Sequence, residues 1–100
     1  MSFVKVAPAN SIKPGECKEV EANGQAIALF NIEGKFYAID AVCPHRGGPL
    51  GEGMVDGCIV TCPLHGWQFD VTTGVSPVNP AAKQKCFKAK VEGNDVMVEV

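Results

Sequence analysis

Apolar residues fall in short runs broken by glycine-containing turns. Residues 25–32 and 35–39 form two such runs separated by Glu33 and Gly34, the two-residue glycine turn that a β-hairpin requires. A second pair lies near the C-terminal end, where residues 84–91 and 96–100 flank the turn formers Glu92, Gly93, Asn94 and Asp95, with β-branched residues in the last strand. This hairpin is expected to pack near the first. Residues 3–6 and 16–22 read as further strands around the turn Lys13, Pro14, Gly15. No stretch of helical length carries a 3.6-residue period, so the predicted fold class is all-β.

Between the hairpins the pattern changes. Residues 43–53 are dense in glycine and proline (Pro44, Gly47, Gly48, Pro49, Gly51, Gly53), which specifies a loop path but buries little apolar surface. Something else must hold that loop. A short strand, 57–61, leads into a second loop, 62–66, followed by a strand at 67–70 and a turn at Thr72, Thr73 and Gly74. Residues 41–74 therefore read as a subdomain of two loops joined by a small sheet. It is inserted into a base made of about 1–40 and 75–100, within a single domain spanning 1–100.

Composition narrows the function classes. At 46% apolar, 100 residues can bury one modest core. A charged fraction of 20% and a net charge of −2 match neither a nucleic-acid binder nor an acidic disordered tail. Residues 1–8 hold only Lys5 and no apolar signal region, and no eighteen uncharged apolar residues run together, so a cytoplasmic protein without a membrane span is expected. Five cysteines, at 17, 43, 58, 62 and 86, lack the regular spacing of a secreted disulfide scaffold, which points to a reducing compartment. Lys83, Lys85, Lys88 and Lys90 gather four of the nine basic residues, as either a docking patch for an acidic partner or a solvated strand edge.

The candidate chemistry sits in the two loops. Cys43 and His45 have one residue between them, Cys62 and His65 have two, and the sixteen residues 46–61 separate the pairs; these are both histidines of the chain. Two thiols and two imidazoles could bind zinc, although structural zinc sites usually place two or more residues between paired ligands. Taken singly, each residue could equally be a small core thiol or a surface histidine. Cys17, Cys58 and Cys86 match no ligand position and are expected as free thiols in small-hydrophobe roles, with Cys58 in a strand-like run.

This pattern resembles the Rieske family, whose C-x-H, about sixteen residues, C-x2-H signature is reproduced by residues 43–50 and 62–70. The likeness is strongest from Tyr37 to Gly74 and extends over the chain at fold level. It implies one [2Fe-2S] cluster per chain, with Cys43 and Cys62 on one iron and His45 and His65 on the other. Imidazoles in place of two thiolates make the oxidised site less negative and raise its potential. High-potential members of the family carry a loop disulfide and two hydroxyls that bond to cluster or ligand sulfur. Here the corresponding positions are Gly48, Leu64, Trp67 and Phe69, so no loop disulfide and a potential near the low end of the roughly −150 to +300 mV Rieske range are expected.

Around the site, Trp67 and Phe69 are expected to pack beneath the second loop. Gly47, Gly48 and Gly66 would either bring backbone amides close to the cluster or simply make turns. Pro44, Arg46, Pro49 and Leu64 would form a docking rim, and residues 75–80, including Pro77, either a third covering loop or an ordinary connector. A cluster with no open coordination position implies an electron carrier without a catalytic site of its own. The resemblance suggests the ferredoxin component of a multicomponent oxygenase, taking electrons from a flavin reductase and passing them to an oxygenase or reductase. The small subunit of an assimilatory nitrite reductase is the alternative, with a structural zinc-binding module more remote. At this length no mononuclear-iron oxygenase domain is expected.

Overall fold

The computed structural model describes residues 3–42, 50–63, 66–78 and 83–100. Its strands are, in order, β1 (Phe3–Pro8), β2 (Cys17–Ala22), β3 (Gln25–Ile32), β4 (Lys35–Asp40), β5 (Met54–Asp56), β6 (Ile59–Thr61), β7 (Gln68–Asp70), β8 (Cys86–Phe87), β9 (Ala89–Glu92) and β10 (Asp95–Glu99). Single 3-10 turns at Ala9–Ser11 and Leu50–Glu52 are the helical elements among the described residues. The strands form three antiparallel sheets, ordered β1-β10-β9, β2-β3-β4-β8 and β5-β6-β7. The fold is all-β, built of small antiparallel sheets as the sequence suggested.

The four-stranded sheet lies between two apolar clusters, which explains why β3 reads as a nearly continuous apolar run instead of alternating. Successive side chains of a strand point to opposite faces. Ile27 and Leu29 join Val20, Ala38, Val96 and Val98 on one face, which the sheet of β1, β10 and β9 covers. Ala28 and Phe30 join Ile39, Ala41, Leu50, Val60, Cys62, Phe69 and Val71 on the other, where the sheet of β5, β6 and β7 lies.

Tight turns set the registers. Glu33 (φ 53°) and Gly34 (φ 90°) occupy left-handed backbone between the paired residues Ile32 and Lys35, the primed turn that matches strand twist. Asn23 (φ 50°) and Gly24 (φ 81°) do the same between Ala22 and Gln25, joining β2 to β3. In this second hairpin, an Asn-Gly turn links strands that the sequence reading had treated separately.

Three expectations are corrected. Residues 84–91 are two strands: β8 pairs with β4, whereas β9 pairs with β10, and the chain changes sheet at Lys88. The strand expected at 57–61 begins at Ile59, because Gly57 (φ 62°) and Cys58 form the turn that joins it to β5. Cys58 therefore sits in a turn, half-buried against the loop-bearing cluster. Residues 54–56, between the glycine-rich tract and that turn, add a further strand, β5, to which the sequence reading assigns no element.

Candidate metal centre

The first loop is closed at its neck. Leu50 N–H donates to the Ala41 carbonyl at 2.9 Å, and Ala41 N–H donates to Ala26 of β3 at 3.2 Å, so the loop leaves and rejoins the core at one point. Leu50 is fully buried there and anchors the neck in the apolar core. The return leg passes close to its neighbours: a Cβ on Gly51 would lie 2.7 Å from the Glu19 amide nitrogen, and one on Gly53 would collide with the Thr61 carbonyl. These glycines allow the leg to lie against β2 and β6, next to Cys62. The Cys17 thiol is placed to donate to the Gly51 carbonyl at 3.3 Å or to that of Gly53 at 3.5 Å.

The second loop is the tip of the β6–β7 hairpin. Cys62 N–H donates to the Trp67 carbonyl at 2.7 Å, and Gly66 N–H donates back to the Cys62 carbonyl at 3.0 Å. Gly66 has φ 73° with open space where a Cβ would stand, so turn geometry accounts for this glycine and its amide is committed to Cys62. Cys62 is only 2% exposed and shares one apolar cluster with Ala41, Leu50 and Phe69. Phe69 is fully buried, and the half-buried Trp67 packs against that cluster with its ring 6.5 Å from that of Phe69. Both necks therefore rest on one apolar floor.

A third loop is closed by the bridge between Val75 and Lys83; Ser76 is buried within it, while Pro77 and Val78 are exposed. Its stem carries Gln84, which the sequence reading did not single out. The Gln84 side-chain amide donates to the Asp40 carbonyl at 2.8 Å and also to that of Val42, while its backbone N–H donates to Gly74 at 2.6 Å. No local sequence pattern marks such a residue. Cys43, Pro44, His45, Arg46, Gly47, Gly48, Pro49, Leu64 and His65 lie outside the described residues, as do Asn79 and Pro80.

The described part of the donor set fits an iron–sulfur group. Cys62 is a buried free thiol in an apolar setting, at the base of a tight loop whose backbone hydrogen bonds fix its position. Two other cysteines, Cys17 and Cys86, lie in settings that disfavour the thiolate. Burial, and then the Glu16 charge, push the Cys17 thiol above its ordinary pKa, and burial followed by Asp70 does the same at Cys86. Neither has a histidine two or three positions further along the chain, as Cys62 does. Among the described residues no three histidine, cysteine or acidic side chains gather as a metal site; Cys62 is the one described member of its set of four.

The four lysines are exposed, as a solvated edge would be. Lys90 already engages Glu92 at 3.2 Å and the Phe3 ring at 4.2 Å, and Lys85 lies 5.1 Å over Phe87.

Comparison with known proteins points the same way. The family model of the Rieske [2Fe-2S] domain matches residues 2–96. The biphenyl dioxygenase ferredoxin subunit of Pseudomonas sp. (strain KKS102) is 37% identical over 101 residues, covering 99% of this chain and 93% of that protein. The ferredoxin fold is matched at TM-score 0.87 and 32% identity by a chain in the complex of reduced oxygenase and oxidized ferredoxin in carbazole 1,9a-dioxygenase, with 96% and 91% of the two chains covered. A chain described as a candidate NADH-dependent nitrite reductase small subunit from Mycobacterium tuberculosis matches at TM-score 0.91, covering 99% of this chain and 96% of that one. At 22% identity that likeness is one of fold alone.

Proposed function

The chain belongs to the Rieske [2Fe-2S] domain family, and on that footing we propose that it is the ferredoxin component of an aromatic-ring dioxygenase system. In this reading Cys43 and Cys62 hold one iron of a single cluster and His45 and His65 hold the other. Once bound, the cluster supplies reversible one-electron transfer at a centre whose coordination positions are filled by the protein.

The chain's own residues do the rest. Leu50, Phe69 and Trp67 form the apolar floor under the two necks, and hydrogen bonds close each neck on itself. Hydroxyl-free Trp67 and Phe69 provide no side-chain O–H donor to a reduced cluster, which favours a potential at the low end of the Rieske range. The cluster-binding subdomain is about 41–74 and the base about 1–40 with 75–100. The acceptor is an oxygenase, reached by brief encounters at the loop tips, and the donor is a flavin reductase. A cytoplasmic location completes the reading; among the described residues no helix is long and apolar enough to cross a membrane.

The observation that carries this reading is the common floor. The necks at Ala41 and Leu50 and at Cys62 and Trp67 sit on one apolar cluster, which supports a metal group shared by the two loops they open. The second reading is a fixed subunit of a nitrite reductase, whose small subunit shares this fold.

The test is to reduce the purified protein and mix it with the oxygenase component of a ring-hydroxylating dioxygenase or, separately, with the large sirohaem subunit of a nitrite reductase. Rapid reoxidation by the oxygenase and no stable complex with the sirohaem protein is the expected result. Tight copurification with the sirohaem protein would instead make the chain a nitrite reductase subunit.

A further inference from the structure

We infer that Gln84 is a positioning residue that braces the two ligand loops against each other, an inference that rests on the cluster reading above. On one side its backbone is bound to the second loop's hairpin. The strand β7 is the return leg of that loop, and the turn that follows it is closed by Gly74 N–H donating to the Asp70 carbonyl at 2.7 Å. Gln84 N–H then donates to the Gly74 carbonyl at 2.6 Å. The approach is so close that a Cβ on Gly74 would collide with the Gln84 carbonyl and come within 2.8 Å of the Cys86 sulfur; Gly74 also has φ 79°.

On the other side the Gln84 side chain is bound to the first loop's entrance. A primary amide has two N–H donors, and here they meet two carbonyls, Asp40 at 2.8 Å and Val42. Val42 immediately precedes Cys43. The Lys85 carbonyl reinforces the joint by accepting Asp40 N–H at 2.9 Å. One residue thus joins, through a few bonds, the hairpin that carries Cys62 to the segment that enters Cys43.

The donors decide the role. Glutamate has the same length, but its ionised carboxylate only accepts and would face two carbonyl oxygens. Leucine or methionine keeps the bulk and loses both donors. The Val42 bond is exposed, so water can take over that carbonyl when the amide is removed. Loss of the brace should therefore loosen the loops relative to each other far more than it destabilises the fold.

The experiment uses the holoprotein and the variants Gln84→Leu and Gln84→Met, the unbranched methionine guarding against a packing fault from leucine. Three quantities are read: the rate of cluster loss to a fixed excess of chelator, the EPR line shape of the reduced protein, and the thermal midpoint. Both variants should release the cluster about tenfold faster, as expected for losing one to two net hydrogen bonds from the bound state. Their line shape should change, and the midpoint should move by no more than about 4 °C. Unchanged release and line shape would overturn the inference, as would a fall in midpoint that accounts for the whole loss. A wild-type protein that never acquires a cluster would overturn the reading beneath it instead.

Discussion

The two faces of the central sheet are built differently. The face that packs against β1, β10 and β9 is closed by strands of four to six residues, with Ala7, Val96 and Val98 directed inward by pleat alternation. The opposite face is closed by three strands of three residues each and by loop necks, with Leu50 and Cys62 filling positions that longer strands would otherwise supply. Backbone pairing and burial can hold the first face alone. The second has an apolar floor, but the first loop's sequence is rich in glycine and proline, and small structures of that kind usually rely on a disulfide or a metal as a staple.

The largest expected break in this comparison comes from removing a ligand. Cys62→Ser should abolish the cluster signal, whereas Cys17→Ser, Cys58→Ser and Cys86→Ser should retain it, as followed by visible absorbance and EPR. In the Cys62→Ser protein, hydrogen exchange should show lost protection across β5, β6 and β7 and near-native protection in β3 and β10.

A matched pair of leucines sharpens the contrast. Leu29 and Leu50 are both fully buried, one on each face. Truncation of either to alanine should cost about 2–5 kcal/mol in denaturant unfolding. Leu50→Ala alone should also accelerate cluster release, because it removes the anchor of the first loop's neck.

The smallest effect is set by pH. The Cys17 thiol is pushed above its ordinary pKa, chiefly by burial, so the folded state favours the protonated form. Its contribution to stability is complete below the ordinary thiol range and is lost as pH rises through the folded-state value. Cys17→Ser should flatten the alkaline limb of a stability–pH profile while leaving the neutral plateau nearly level.

Much of this architecture can be read locally, and the exceptions share a cause. The turn at Glu33 and Gly34 announces its hairpin because turn chemistry is local, and Asn23 and Gly24 carry an equally strong signal that the reading passed over. Strand β5 was missed because it follows directly on a tract rich in glycine and proline. The change of sheet at Lys88 depends on two partners, β4 and β10, that lie far apart in the chain. Gln84 is the extreme case: its side-chain partners lie 44 and 42 positions away, and a single polar residue in a lysine-rich stretch has no pattern to betray them. The proposed ligand set rests on residue identity and spacing, which the sequence carries directly. Of the floor beneath it, Phe69 is legible as packing under the second loop, whereas Leu50 and Val71 became apparent only in the folded arrangement.

The central claim is that two thiolates and two imidazoles from the paired loops hold one low-potential cluster. A potentiometric titration of the purified protein followed by EPR tests it most directly. The account predicts a Rieske-type signal integrating to about one spin per cluster, appearing only near the low end of the roughly −150 to +300 mV range. A colourless protein with no signal, or a signal already developed at high potential, would contradict it.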